Sequence, residues 1–521
     1  MSQGLYRSLI ILSAISGSQQ VLAAPVLSAS LTSGIDFTDN ATFVSENKQE
    51  SAALRIEPEL SAADKGASTS YRFNYRFQSL SHRPDSKLNE SNHFLNAFAT
   101  KDLFDNRLQS SAGYNISQVR STSSASNVSG TPGGSGYQEA QQLQGKIVLD
   151  TPKNRYFDFE SYIDGQMSLL EESKRDSESL GAGFNLTSGY WLSRSYWAVF
   201  GESRLFDGNS QQSAQSDRAN ALGGFHLFQD IFIRGQSSYE SVETGRTGEP
   251  AEEFRSLGAG LEWRPTRRSH FAVTYNWVPE EYGDNFVGGE FAWKPSDRFD
   301  ASGNYTHRFY GHAYSLQMTH TTRHLRSTIN YSENVSNFAS FSSETNETLL
   351  ICPNTSTATL GDCRLPADAS DVAKPGEVAI SVPGLISDVT DGVKLVKQLR
   401  ASSAYQYGKS TYTLGYSLQS REDIGVSISP TSHQQGVDFT WNLLLFSNTN
   451  LSLLTKVAKV EEKTGGSLNQ KYLDQSYGIQ LVHQLNARTS ISAKYNHLFR
   501  NDKLNDSYRE NSIATALMVK F

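Results

Sequence analysis

The stretch RSHFAVTYNWV, residues 268–278, alternates apolar and polar side chains with a period of two. Phe271, Val273, Tyr275 and Trp277 fall on one face, and histidine, alanine, threonine and asparagine fall between them. Successive side chains of a β-strand point to opposite faces, so this pattern predicts a strand. One of its faces meets an apolar environment and the other meets water.

The same alternation recurs along the chain. Residues 70–78 (SYRFNYRFQ), 285–294 (NFVGGEFAWK), 477–483 (YGIQLVH) and 490–499 (SISAKYNHLF) each place aromatic or aliphatic side chains on every second position. A period of two in so many segments indicates an all-β protein.

Two kinds of connection alternate between these segments. Some are short turns, such as 228–230 and 447–450, and others are long and polar, such as 121–139, 243–253 and 461–470. Bacterial outer-membrane barrels have short periplasmic turns and longer outer loops. Counting back from the last strand predicts about 24 strands, within a range of about 20–26, each of about 10–14 residues.

The composition narrows the class of protein. Hydrophobic residues make up 37% of the chain and the mean hydropathy is −0.48, which is lean for several soluble cores, yet 11% of the residues are aromatic. Disordered chains are poor in aromatic residues, so disorder is excluded. The net charge of −7 argues against a nucleic-acid partner, because phosphate contacts need basic residues.

The N-terminal residues predict export. Arg7 precedes a short apolar run and small residues follow it, which is the pattern of a cleaved signal peptide at 1–23. Residues 24–521 then form one mature domain, without an apolar stretch of transmembrane-helix length.

A soluble β-sandwich, propeller or β-helix would also alternate. Its inward face would have to be apolar, whereas here the face opposite the aromatic residues is polar almost everywhere. The sequence therefore predicts a transmembrane up-and-down antiparallel β-barrel in the outer membrane of a Gram-negative bacterium, surrounded by lipid and lipopolysaccharide. Aromatic residues near the predicted strand ends read as interface girdles: Trp263, Trp277, Trp293, Phe309, Tyr331 and Tyr407.

The polar face carries charges of both signs. The predicted lumen-facing residues are Arg72, Arg76, Lys146, Asp158, Glu160, Asp164, Arg234, Glu262, Glu290, Arg326, Arg400 and Lys494. Mixed signs argue against a strongly anion-selective pore, in which one sign should dominate. No nucleophile elbow, zinc motif, phosphate loop or nucleotide fingerprint is present, so we expect no catalysis, no cofactor and no metal site.

The longest connection, 336–392, is predicted to lie outside the cell. It holds Cys352 and Cys363, whose spacing in an exported protein predicts a disulfide that closes a small loop. Loops of this length are usually functional or disordered. Its apolar stretches favour a lid or plug over a surface-display loop, and both interpretations stay open.

The last segment, 512–521 (SIATALMVKF), repeats the alternation and is predicted to pair with the first strand near residues 27–37. An open sheet edge in lipid would leave backbone groups without hydrogen bonds. Phe521 also resembles the C-terminal aromatic residue that the barrel-assembly machinery reads, which would make that machinery a partner.

Three segments carry a family resemblance: 70–104, 253–276 (EFRSLGAGLEWRPTRRSHFAVTYN) and 308–338. They resemble the outer-membrane barrels associated with the PEP-CTERM/exosortase system, which are found near exopolysaccharide genes. The resemblance implies passage of exopolysaccharide across the outer membrane, with the polymer and periplasmic export components as partners. A general diffusion porin and a structural or surface-attachment barrel with a plugged lumen remain the alternatives.

Overall fold

The computed structural model describes residues 26–120, 137–151, 155–170, 175–192, 194–208, 213–244, 251–336, 346–353, 377–383, 394–424, 431–464, 467–504 and 507–521. The predicted signal peptide, 1–23, and Cys363 lie outside these residues. The predicted disulfide between Cys352 and Cys363 therefore stays a prediction.

Long antiparallel strands make up the described chain. In chain order they are β1 (Val26–Thr38), β2 (Ser51–Lys65), β3 (Thr69–Arg83), β4 (Glu90–Leu103), β5 (Leu108–Arg120), β6 (Tyr137–Asp150), β7 (Phe157–Leu170), β8 (Arg175–Ser188), β9 (Ser195–Gly208), β10 (Ala214–Phe228), β11 (Ile231–Thr244), β12 (Glu252–Thr266), β13 (Ser269–Trp277), β14 (Phe286–Ser296), β15 (Phe299–Arg308), β16 (Gly311–Thr321), β17 (Leu325–Ser336), β18 (Asn346–Pro353), β19 (Glu377–Pro383), β20 (Lys394–Tyr407), β21 (Ser410–Asp423), β22 (Thr431–Phe446), β23 (Thr449–Thr464), β24 (Ser467–Gln484), β25 (Thr489–Asp502) and β26 (Tyr508–Lys520). The described ranges also contain a short helical turn, Ser86–Leu88, and no helix long and apolar enough to cross a membrane.

Within the described chain, 24 of these strands form one sheet, in which each strand pairs with its neighbour along the chain and β17 pairs with β20. The sheet closes because β1 pairs with both β2 and β26. The predicted all-β barrel and the predicted strand number are confirmed. The remaining two strands, β18 and β19, pair with each other inside the long connection.

The two ends of the barrel differ in their connections. Turns as short as 229–230, 267–268 and 297–298 lie at the end where β1 begins and β26 ends, which is the periplasmic end in outer-membrane barrels. At the opposite end the predicted loop 461–470 is wrong, since β23 and β24 extend through most of it. Both faces of a strand meet water beyond the membrane, so its sequence loses the alternation that marks a strand.

The convex face of the barrel is apolar. Leu257, Leu261 and Val273 are 58–63% exposed, and Trp263 and Trp277 beside them are about half exposed. A closed sheet leaves no unpaired backbone edge, and an apolar exterior belt matches the hydrocarbon core of a bilayer. The chain is therefore a β-barrel of the bacterial outer membrane, with these side chains against lipid.

The seam between β1 and β26 follows one continuous register. Thr38 is opposite Ser512, Gly34 is opposite Ala516, and Ser30 is opposite Lys520. This confirms the predicted pairing of the last segment with the first strand. The backbone N–H of Phe521 extends the ladder by donating to the Ala29 carbonyl at 2.8 Å.

A cluster of polar contacts fixes the extracellular end of the seam. Asp39 accepts from the backbone N–H of Asn511 at 2.7 Å and from its side-chain amide at 2.6 Å. Asn40 is fully buried and donates to the carbonyl oxygens of Val44, at 2.8 Å, and Arg509, at 2.9 Å. The loop after β1 is thereby bound to the start of β26.

The backbone of β26 lies close to Gly34 on β1. A Cβ at Gly34 would make a hard contact with the carbonyl oxygen of Thr515 on β26, whereas a Cβ at Gly145 on β6 meets nothing nearer than 3.9 Å. We expect Gly34→Ala to lower the temperature at which the folded band on an unheated gel converts to the unfolded band. Gly145→Ala should leave it unchanged, and equal behaviour of the two variants would contradict this seam.

Candidate functional site in the lumen

The concave face is identified by side chains that reach past neighbouring strands. Arg234 on β11 pairs with Glu290 on β14, and Arg308 on β15 pairs with Glu240 on β11. Contacts across three or four strand positions are possible only on the inside of a curved sheet. The pairing register places the twelve predicted charged residues on this same face.

Three of these residues form one network. Arg234 and Glu262 are almost fully buried, with their charged atoms 4.0 Å apart, and Arg234 also pairs with Glu290. His270 Nε2 lies 3.2 Å from the other carboxylate oxygen of Glu290, and Arg264 Nε donates to Glu262 at 2.5 Å. The sequence predicted the faces of these residues. Their grouping depends on the curvature of the sheet.

A second pair lies on β7 and β9. Arg204 donates to both oxygens of Asp164 at 2.9 Å and approaches Glu202 at 3.4 Å. Lys146, also among the predicted residues, lies over the ring of Tyr162 at 4.9 Å. Arg204 was not predicted. The alternation of β9 nevertheless indicates its face, because Arg204 is an even number of residues from Tyr196 and Glu202.

A third pair, Asp474 on β24 and Arg500 on β25, was also missed. Arg500 donates to the two carboxylate oxygens at 2.6 and 2.8 Å, and both side chains are almost completely buried. The ring of Tyr472 lies 4.1 Å from the guanidinium carbon. Opposite charges in directly paired positions of adjacent strands are the sequence signal that could have revealed this pair.

The other predicted residues lie at further positions on the wall. Arg76 lies over the Phe94 ring at 4.3 Å, and Arg326 donates to Thr321 at 3.4 Å. Asp158 and Glu160 share the inner face of β7 with Asp164, and Arg72, Arg400 and Lys494 take the same face on β3, β20 and β25.

The most elaborate contacts surround Arg308 at the extracellular end, and we call Glu240, Arg308, Tyr310 and Glu333 the Arg308 clasp. Arg308 Nε donates to the two oxygens of Glu240 at 3.0 and 2.9 Å. Its Nη1 donates to the Tyr310 hydroxyl at 3.2 Å and to the Glu333 carbonyl at 3.1 Å. Burial raises the pKa of the Tyr310 phenol, so this residue stays protonated. One guanidinium thus joins β11, the β15–β16 turn and β17.

The β15–β16 turn itself folds toward the concave side. Phe309 packs against two buried clusters, one containing Phe254 and Phe286 and the other containing Phe206 and Val242. The prediction that Phe309 belongs to a lipid-facing aromatic girdle is therefore wrong. A two-residue turn has no polar loop to hold it in water, so its aromatic tip packs into the mouth of the barrel.

The long connection contributes a separate β-hairpin. Leu350 is opposite Ile380 and Ile351 is opposite Ala379, so apolar residues from two parts of the long connection lie in paired strands. Its role as a lid, a plug or a display loop stays a prediction.

No protein-family model and no curated protein matches the chain. Among solved structures, the FrpB iron transporter from Neisseria meningitidis (F5-1 variant) is 9% identical, with 96% of this chain and 83% of that chain covered and a TM-score of 0.44. The siderophore receptor PirA from Acinetobacter baumannii is 8% identical, with 95% and 80% covered and a TM-score of 0.42. A loop-deletion mutant of OmpT, an outer membrane protein of Vibrio cholerae, is 8% identical, with 96% and 100% covered and a TM-score of 0.32. None of these similarities assigns a ligand to the chain.

The clasp predicts a large cost for removing one partner. Arg308→Gln leaves the buried Glu240 carboxylate without its bidentate partner and should lower the free energy of unfolding by about 3–5 kcal/mol. Glu240→Gln should also lower the free energy of unfolding. The loss in the double variant should be smaller than the sum of the losses in the two single variants. Urea unfolding in detergent measures all three.

Arg268→Gln is the matched control for the clasp. Its ion pair with Asp297 is 60% and 84% exposed, and exposed pairs contribute about 0–1 kcal/mol. If Arg308→Gln destabilised the barrel no more than Arg268→Gln, the Arg308 clasp would have no structural role.

Proposed function

We propose that this outer-membrane barrel passes a hydrated exopolysaccharide across the outer membrane. The observation that carries the proposal is the acid–base pairing of charges on the concave face. Arg234, Arg204, Arg308 and Arg500 each lie against at least one carboxylate. Paired charges leave a polar wall without a dominant sign, which suits a hydroxyl-rich polymer better than a selected ion.

Neutral hydrogen-bonding groups fill the wall between these pairs. Hydroxyls face each other across neighbouring strands at Ser28 and Ser61, 2.6 Å apart, at Ser70 and Thr100, 2.6 Å apart, and at Thr328 and Ser402, 2.7 Å apart. Such groups can exchange hydrogen bonds with a sugar chain as readily as with water. A moving substrate needs many weak contacts of this kind, because tight binding at one point would stop it.

The mouth of the barrel supports a controlled passage. The Arg308 clasp and the aromatic side chain of Phe309 occupy the concave side at the extracellular end. A barrel of about 22 or more strands would otherwise enclose a very wide lumen. The resemblance of segments 70–104, 253–276 and 308–338 to barrels of the PEP-CTERM/exosortase system points to exopolysaccharide as the cargo.

Deletion of the gene tests the proposal. We expect exopolysaccharide to accumulate in the periplasm and to fall at the cell surface, with both effects reversed by the wild-type gene. The amount of polymer in periplasmic and surface fractions is the measurement.

An unchanged amount of surface polymer would contradict export. Large, unselective conductance of the purified barrel in planar bilayers, together with that result, would support the general diffusion porin instead. An unchanged amount of surface polymer together with no conductance of the purified barrel would support the structural barrel with a plugged lumen.

A further inference from the structure

A cavity of about 280 Å³ lies beside the Arg308 clasp on the concave face, and we call it the mouth cavity. Its charged lining residues are Glu202, Arg204, Arg218, Glu240 and Arg308, which come from β9, β10, β11 and β15. Residues from β7, β17 and β20 also line it. Most of the lining is polar, so the mouth cavity is suited to a hydrophilic ligand.

The three arginines of the mouth cavity differ in their partners. Arg204 is held by Asp164 and Arg308 is held by Glu240, each through two or more hydrogen bonds. For Arg218, no carboxylate of the described residues lies within ion-pair distance, 4.0 Å. With the Asn220 amide oxygen turned toward it, Arg218 Nε donates there at 3.2 Å. The described part of the chain supplies no acceptor for its two Nη groups.

An arginine that lines a cavity and has no acceptor for its Nη groups is a site for a planar anion. Arg binds carboxylates through two parallel N–H···O bonds, which match the fork of the guanidinium. Glu202 and Glu240 line the same cavity and would repel a dianion such as phosphate more strongly than a single carboxylate. The electrostatics of the cavity therefore favour one negative charge.

The rest of the lining offers hydroxyl and amide groups. Ser216, Ser332, Asn334 and Gln398 line the mouth cavity and can bind ligand hydroxyls. Pockets for drug-sized ligands typically have volumes of about 300–1,000 Å³, and this cavity is slightly smaller. It can therefore hold one small ligand but not a long segment of a polymer. A single carboxylate next to several hydroxyls is the chemistry of an acidic sugar.

We propose that the mouth cavity binds one carboxylate-bearing sugar unit, with the carboxylate on the Nη groups of Arg218 and the sugar hydroxyls on the neighbouring serine and amide side chains. This inference rests on the proposed passage of a polysaccharide and names the class of polymer: one that contains uronic acid units.

Calorimetric titration of the purified full-length barrel tests the site, with D-galacturonate as the probe. D-Galactose lacks the carboxylate, acetate lacks the hydroxyls, and inorganic phosphate carries the higher charge. We expect galacturonate to bind at least tenfold more tightly than each of the other three. Arg218→Gln should weaken galacturonate binding at least tenfold. Arg218→Lys should weaken this binding less, because it keeps the positive charge.

Arg268→Gln, an exposed arginine outside the cavity, is the control and should bind galacturonate as the wild type does. Heat-modifiable migration on a gel shows that each variant is folded. No binding of galacturonate to the wild type, equal binding of galactose or acetate, tighter binding of phosphate, or unchanged binding by Arg218→Gln would each overturn the inference. These outcomes are independent of the periplasmic polymer assay. The proposed binding site and the proposed export of exopolysaccharide can therefore be contradicted separately.

Discussion

Lateral backbone hydrogen bonding between β1 and β26 is the constraint on which the rest of the structure depends. Within hydrocarbon, each N–H or C=O group without a partner costs several kcal/mol, so a sheet can span a membrane only if it closes on itself. The seam runs from Ser30 to Thr38 on β1 and is prolonged by the Phe521 backbone at one end and by Asp39 at the other. Once it is closed, the register of every strand is fixed, and with it the face that each side chain takes.

The charges in the lumen follow from that register. Polar residues on alternate positions must all point inward, where curvature brings strands that are not neighbours into contact. Arg308 and Glu240 are 68 positions apart in sequence and form an ion pair on the inner face. Arg234 and Glu290 form another ion pair on this face. Breaking one member of such a pair leaves a buried charge, which explains why the acidic and basic residues occur together. Arg218 departs from this rule, and it does so beside a polar cavity.

The sequence was sufficient for the fold because lipid imposes a simple code on it. Residues 268–278 and 512–521 show the alternation directly, and the strand number and the seam follow from it. The code fails where lipid is absent. Residues 461–464 continue β23 above the membrane without alternating, and Phe309 turns inward at a two-residue turn although its type and place suggest the lipid face.

The functional contacts were less predictable than the faces. The alternation of inward and outward residues places Asp164 and Arg234 on the inner face. It does not predict that Asp164 binds Arg204, which lies two strands away. Such pairings depend on how tightly the wall curves and on side-chain reach, which one-dimensional spacing does not contain. Asp474 and Arg500 are the exception, since they are directly opposite each other on adjacent strands.

Cysteine labelling along one strand tests the central claim that a polar lumen lies inside this barrel. Cys352 and Cys363 are first replaced by serine, and single cysteines are then placed at residues 399 to 402 of β20 in barrels reconstituted in lipid vesicles. A membrane-impermeant, water-soluble maleimide should label cysteines at Arg400 and Ser402, which share the inner face, and not those at Leu399 and Ala401. Labelling that did not alternate, or that favoured positions 399 and 401, would contradict the account.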